Sequence, residues 1–232
     1  MSPLNDREHT RIPYSVEVQY RTASSFLIAY STNLSRGGLF LESESEVPLG
    51  TPIELRLFVP GVGAIDVQGA VSWRRERNDP EGPAGYGIEF QELGATLGQT
   101  IDRLVANYDG LSILILCGDR HDRSSLARAI RSILSTADVV SAADARVAET
   151  LLTAEVDLAV IDTDHDPEGA LLALRAAHHV TPPVPTIALA STKRLRERAR
   201  AAGADEVGSN PPPFGELQLL IVRALGRPSS IK

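Results

Sequence analysis

The sequence has one cysteine and no long apolar run, and each absence excludes a class of protein. Cys117 alone cannot form an internal disulfide, and it fits a reducing compartment. No stretch reaches the roughly 20 apolar residues that a membrane-spanning helix needs, and the first residues carry no apolar signal core. We therefore expect a soluble, cytoplasmic protein without a membrane span.

The chain also lacks an excess of positive charge, since its formal net charge is −7 at pH 7. Binding to duplex nucleic acid depends on a basic surface that neutralises phosphates, so we predict no nucleic-acid partner. No nucleophile–base pair and no set of metal ligands emerges from the sequence. We therefore predict a protein that is not an enzyme, with no catalytic residues, no metal and no cofactor.

Apolar and polar residues alternate from Tyr14 to about Gln91, which is the period of β-strands. One of the runs that we predict as strands is residues 26–30, and clusters of Gly, Pro, Asn and Ser separate the runs. This pattern predicts an antiparallel sandwich or a small β-barrel. Trp73 and Phe90 are expected in its core.

A helical pattern follows the strands and leads to a second half with a different period. Residues 97–108 carry an apolar stripe at helical spacing, and this helix is expected to cap the barrel. From Leu111 onward, apolar runs alternate with amphipathic helices, which predicts a doubly wound, five-stranded parallel sheet. The predicted organisation is an arm at 1–12, an all-β barrel with a C-terminal helix at 13–109, and an α/β domain at 111–228.

Two arginines on the N-terminal arm are suited to bind a guanine nucleotide. Arg7 and Arg11 each carry a planar guanidinium that can engage a phosphate, or the O6 and N7 atoms of a guanine, through two hydrogen bonds. The arm has few apolar residues, so we expect it to be mobile when empty and to fold over a ligand.

A polar turn at residues 33–38 offers the complementary groups. Asn33 and Ser35 can exchange hydrogen bonds with a guanine edge, and Arg36 adds a further cation. Gly37 and Gly38 permit a close approach of the backbone. The strand pattern on either side predicts that this turn is a hairpin.

The order of these motifs resembles the PilZ domain family over roughly residues 5–108. Its pattern, Arg-x-x-x-Arg followed by Asp/Asn-x-Ser-x-x-Gly, is matched by Arg7, Arg11, Asn33, Ser35 and Gly38. Later runs at 69–73 and 85–90 fit the same layout. That family is a β-barrel that binds the bacterial second messenger cyclic di-GMP. The resemblance implies that the arginines hold phosphate and guanine while the turn, with Arg36 and Gly37, holds a guanine edge.

The C-terminal half, over about residues 111–228, resembles the receiver domain of response regulators in its βα order and in the runs at 156–162 and 202–206. In that family Asp162 stands at the place of the phosphoacceptor. The positions that hold Mg²⁺ and assist phosphoryl transfer are changed, and they read Cys117, Gly118, Ala190 and Asn210. Without a metal the developing charge is unshielded, so we predict a pseudo-receiver in which Asp162 is vestigial. The family geometry implies a cis Asn210–Pro211 peptide.

Three functions are compatible with these observations. The first is a cyclic di-GMP-binding signalling protein whose pseudo-receiver contacts a protein partner or a second copy. The second is a scaffold that has lost the nucleotide, because Asp6 and Glu8 could pair with the arginines of the arm. The third is a response regulator that is phosphorylated on Asp162.

Overall fold

The computed structural model describes residues 14–33, 38–77, 79, 84–91, 95–106, 108 and 110–231. The elements of the first half are β1 (Tyr14–Gln19), α1 (Ala23–Asn33), β2 (Gly38–Glu42), β3 (Pro52–Val59), β4 (Gly63–Arg75), β5 (Gly85–Phe90) and α2 (Ala95–Ala106). Those of the second half are β6 (Leu111–Leu116), α3 (Arg120–Ile133), β7 (Ala137–Ala142), α4 (Ala145–Leu151), β8 (Leu158–Asp162), α5 (Pro167–His179), β9 (Thr186–Leu189), α6 (Lys193–Ala201), β10 (Glu206–Gly208), α7 (Phe214–Gly226) and β11 (Ser230–Ile231).

The first sheet is mixed and has six strands in the order β11-β1-β3-β4-β5-β2. β1 runs parallel to β3, whereas β3, β4, β5 and β2 pair with their neighbours in antiparallel fashion. Along β3 the side chains alternate between buried and exposed, because one face of the sheet covers the core and the other faces solvent. The sheet curls into a half-barrel, which confirms the barrel-like fold predicted for this half. The prediction of purely antiparallel pairing is wrong, because β1 and β3 run parallel.

The prediction of a strand at residues 26–30 is wrong, because this run lies within helix α1. The backbone N–H of Ser25 donates to Oγ1 of Thr22 at 3.0 Å, and this hydrogen bond caps the first turn of the helix. Phe26 and Ala29 are buried in the core of the half-barrel, while Ile28 packs against the core of the second half. Because Phe26 and Ile28 contact different cores, the central run of α1, residues 26–30, is apolar throughout and resembles a buried strand.

The second sheet has five parallel strands in the order β10-β9-β8-β6-β7, which confirms the predicted doubly wound domain. Numbered along the chain, this is the strand order 2-1-3-4-5 of receiver-like folds. Helices α3 and α7 cover one face, and α4, α5 and α6 cover the other. The carboxyl ends of β6 and β8 meet at one edge of the sheet, which brings Cys117 close to Asp162.

Candidate functional site

Of the predicted nucleotide-binding residues, the structure describes Asn33 and Gly38. Asn33 is the last residue of α1 and Gly38 is the first residue of β2, so the polar motif follows a helix and the predicted hairpin between two strands is wrong. Arg7, Arg11, Ser35, Arg36 and Gly37 lie outside the described residues. Their proposed contacts with a ligand therefore stay predictions.

Gly38 is required where it stands by the pairing of β2 with β5. It lies opposite Glu89, and a Cβ atom added to it would overlap the backbone carbonyl oxygen of Ile88. A larger residue would push β2 away from β5 and shift the end of the motif. The glycine of the motif therefore has a structural role in addition to any contact with a ligand.

Three side chains form a surface that we call the aromatic platform, namely Phe40, Trp73 and Arg75. The rings of Phe40 and Trp73 are stacked, with centroids 5.1 Å apart and an angle of 12° between their planes. The guanidinium carbon of Arg75 lies 4.6 Å from the Phe40 centroid and 5.4 Å from the Trp73 centroid, which is cation–π geometry. All three side chains are half-buried, so part of the platform faces solvent.

The platform depends on Gly87, which separates the two rings. Phe40 on β2 and Trp73 on β4 both lie opposite Gly87 on the strand between them. A Cβ atom at Gly87 would overlap the indole of Trp73. The two rings can therefore reach each other across β5 only because this position has no side chain.

The expectation that Trp73 lies in the core is wrong, and a β-bulge is the reason. The register of β4 against β5 shifts between Val71 and Trp73, so that Val71 lies opposite Ile88 and Trp73 lies opposite Gly87. An extra residue in one strand reverses the faces of all later side chains. Val71 therefore points into the core while Trp73 points out, and Phe90 is buried as expected.

Acidic side chains neutralise two other arginines beside the platform. Arg74 forms ion pairs with Glu46 at 3.3 Å and with Glu76 at 3.4 Å. Arg77 pairs with Glu44 at 2.7 Å. Arg75 lies over the aromatic rings instead, where its charge is placed to meet an anion or a base edge next to the stack.

A second group of polar residues lies at the carboxyl end of the parallel sheet, around Asp162. The side-chain amide of Asn210 donates to Oδ1 of Asp162 and to Oδ2 of Asp164, both at 2.8 Å. The thiol of Cys117 donates to Oδ2 of Asp162 at 3.5 Å. Both oxygens of this buried carboxylate are therefore engaged by neutral donors of the chain itself. The Asn210–Pro211 peptide is cis, as expected.

These residues differ from the set that the receiver resemblance implies for phosphoryl transfer. Burial and the adjacent Asp162 raise the pKa of the Cys117 thiol to about 12, so it stays protonated at neutral pH and is a poor metal ligand. Asp119 accepts hydrogen bonds from the backbone N–H groups of His121 and Asp122 and caps α3. Within the described part of the chain, no cluster of His, Cys, Asp and Glu could hold a metal ion.

Asp162 is therefore expected to resist phosphorylation by acetyl phosphate in the presence of Mg²⁺. Cys117 and Gly118 stand where the receiver resemblance implies an acidic pair for the metal, and the attacking oxygens of Asp162 are held by Asn210 and Cys117. Intact mass spectrometry is expected to detect no added phosphoryl group, while a receiver with its acidic pair, run in parallel, gains one. An added phosphoryl group that disappears in Asp162→Asn would contradict this prediction.

None of the helices among the described residues has the length and apolar character needed to cross a bilayer.

A search of curated proteins found no match to the chain. Among solved structures, one similar chain is the receiver domain of a DNA-binding response regulator from Colwellia psychrerythraea 34H. It is 23% identical with a TM-score of 0.44, and the match covers 49% of this chain and 96% of that one.

A second similar structure is the receiver domain of a sensor histidine kinase from Pseudomonas aeruginosa PAO1, which holds a magnesium ion in its active-site cleft. It is 24% identical with a TM-score of 0.43, and the match covers 50% of this chain and 98% of that one. The PilZ domain model matches residues 5–107, the part that contains the half-barrel and the polar motif. Residues 5–107 are therefore similar to the PilZ domain family, and they are followed by a domain whose five parallel strands have a receiver-like order.

Proposed function

We propose that this protein is a cyclic di-GMP-binding signalling adaptor that catalyses no reaction. In this proposal the PilZ domain binds the nucleotide, and the receiver-like domain contacts a protein partner or a second copy of the chain. The observation that carries the proposal is that the polar motif and the aromatic platform adjoin each other along the chain. The polar motif at 33–38, in which the family positions Asn33, Ser35 and Gly38 are filled, leads directly into the strand that carries Phe40 of the aromatic platform.

The motif supplies groups that match a dianionic guanine dinucleotide. The guanidinium groups of Arg7 and Arg11 can each form two parallel hydrogen bonds to a phosphate or to a guanine edge. Asn33 and Ser35 can exchange hydrogen bonds with the remaining polar atoms of the base. Because the whole chain has a net charge of −7, an anionic ligand has to be met by a local group of arginines rather than by the overall field.

The aromatic platform supports the same ligand class. A guanine is a flat heteroaromatic ring, and stacking on an aromatic side chain is worth about 1–3 kcal/mol per base. Phe40 and Trp73 already lie parallel to each other, so the platform is preorganised for a further stacked ring. Arg75, which lies over both rings, is placed beside such a base.

The receiver-like domain is proposed to act through contacts and not through phosphorylation. Both carboxylate oxygens of Asp162 accept hydrogen bonds from Asn210 and Cys117. We therefore propose that phosphorylation of Asp162 is not the signal that this domain receives. The signal that it passes on would then come from the nucleotide bound by the PilZ domain.

Isothermal titration calorimetry of the purified full chain with cyclic di-GMP tests the proposal. The wild type is expected to bind, and Arg11→Ala is expected to weaken binding at least tenfold, because a hydrogen bond to a charged group is worth about 1.5–3 kcal/mol. Arg56→Ala is the matched control, since this exposed arginine pairs with Asp66 on the β3–β4 hairpin. No heat with the wild type would refute the proposal and favour a scaffold that has lost its ligand.

A further inference from the structure

Helix α1 belongs to the cores of both halves of the molecule. Phe26 and Ala29 are buried in the half-barrel, and Ile28 packs against the core to which α7 contributes Leu217, Leu220, Ile221, Ala224 and Leu225. The contact is close at the end of α7, where a Cβ atom added to Gly226 would lie 3.5 Å from the Cα atom of Ala29. The helix that ends at Asn33 of the nucleotide motif is therefore held in place by the last helix of the receiver-like domain.

Arg227, the residue after α7, holds the strand on the other side of the motif. Its guanidinium donates to both carboxylate oxygens of Glu42, at 3.2 and 3.0 Å, and Glu42 is the last residue of β2. The same guanidinium lies 3.5 Å from a carboxylate oxygen of Asp205 on the receiver-like side. All three side chains are partly buried, so this ion pair is less screened by solvent than a surface pair.

The end of the chain also pairs with the strand that follows the N-terminal arm. Gln19 and Val18 of β1 lie opposite Ser230 and Ile231 of β11. The backbone N–H and the hydroxyl of Ser229 both donate to the carbonyl oxygen of Gln19, at 2.7 and 2.9 Å. Residues 227–231 therefore contact both β2 and β1, and α7 contacts α1.

A buried arginine fixes the base of the receiver-like domain to the same region. Arg21 is only 6% exposed, and its Nη2 atom donates to the carbonyl oxygen of Ala154 at 3.0 Å. Its Nε atom donates to the carbonyl oxygen of Pro182 at 3.4 Å. These two hydrogen bonds join Arg21 of the first half to backbone carbonyl groups at residues 154 and 182 of the second half.

From these contacts we infer that the receiver-like domain is a positioning part of the nucleotide site. This inference rests on the proposed function. Helix α7 and residues 227–231 fix the three elements that border the two motifs, namely β1, α1 and β2. A nucleotide that binds between these elements favours the docked arrangement of α7, and the docked arrangement favours the nucleotide, because coupling between two sites is reciprocal. Arg227 and Ile28 are the positioning residues.

Hydrogen–deuterium exchange and calorimetry on the full chain with cyclic di-GMP test this inference. In the wild type, the nucleotide is expected to slow exchange in α7 as well as near residues 33–42. Arg227→Gln and Ile28→Ala are expected to raise the dissociation constant about fivefold to twentyfold. Both are also expected to abolish the protection of α7. Arg56→Gln removes an exposed ion pair on the same sheet, and it should change neither measurement.

The outcomes separate this inference from the proposed function. If the wild type binds the nucleotide but exchange in α7 is unchanged, and Arg227→Gln binds equally well, the positioning role is refuted while the proposed function stands. If the wild type does not bind at all, both fail. Glu42→Gln breaks the same ion pair from the other side, so a parallel loss of affinity in this variant supports the role even where Arg227→Gln does not fold.

Discussion

Replacing Phe26 by alanine is expected to lower the free energy of unfolding by about 3–5 kcal/mol. The ring is fully buried, and it meets the ring of Tyr20 edge to face with centroids 5.3 Å apart. Alanine would leave a cavity between α1 and the half-barrel, because the surrounding β-strands cannot close over the missing ring. Urea unfolding followed by circular dichroism measures the loss.

The neighbouring variant Leu27→Ala is the control for this prediction. Leu27 lies on the same helix and is only half-buried, so the loss should be well under half of that for Phe26→Ala. Both substitutions introduce alanine into the same helix, and the resulting change in helix propensity is small compared with the free-energy cost of a cavity. Equal losses for the two variants would contradict the placement of Phe26 in the core.

The prediction of a strand at residues 26–30 is wrong because the run is apolar on both sides of helix α1. A short apolar run fits a buried strand and a buried helix equally well, since periodicity decides only where one side is polar. Phe26 and Ile28 contact different cores, so neither side of the helix carries a polar stripe. The signal that could have identified the helix is Thr22 before Ser25, a cap that the alternation of the flanking runs obscured.

The parallel domain was predictable because its central strands β6, β8 and β9 are buried on both faces. The run at 158–162 is apolar until its last residue, Asp162, and every residue of β8 is buried. Such continuous apolar runs between amphipathic helices specify a doubly wound sheet with few alternatives. The changes at Cys117 and Asn210 were also visible in the sequence, and the structure shows how their side chains occupy Asp162.

The aromatic platform could not be predicted from alternation, because one extra residue decides the face of Trp73. A glycine pair at 85 and 87 in the next strand was the available signal, since a strand without side chains leaves room for large neighbours. The contacts of Arg227 with Glu42 and of β11 with β1 join residues about 200 positions apart. Local patterns carry no information about such pairings.

Replacing Gly87 by valine is expected to disrupt the aromatic platform and with it the binding of cyclic di-GMP. The new side chain would occupy the space of the Trp73 indole and force the ring off Phe40. Overpacking of this kind costs about 1–3 kcal/mol of stability, and loss of base stacking costs about 1–3 kcal/mol of binding. Trp73 is the only tryptophan, so its fluorescence reports on the platform alone. Emission from the wild type should be quenched by the nucleotide, whereas emission from Gly87→Val should shift to longer wavelength and respond little.

Glu54→Val is the matched control for that substitution, because it places the same side chain at an exposed position of the same sheet, on β3. It should leave the emission of Trp73 and its response to the nucleotide unchanged. Calorimetry distinguishes the two ways in which the prediction could fail. Full affinity in Gly87→Val would mean that the bases do not stack on the platform. Weak binding together with unaltered emission would mean that valine disturbs β2 and the end of the motif at Gly38, next to which β5 passes, rather than Trp73. Only a joint loss of affinity and of the fluorescence response fits a guanine stacked on the exposed rings.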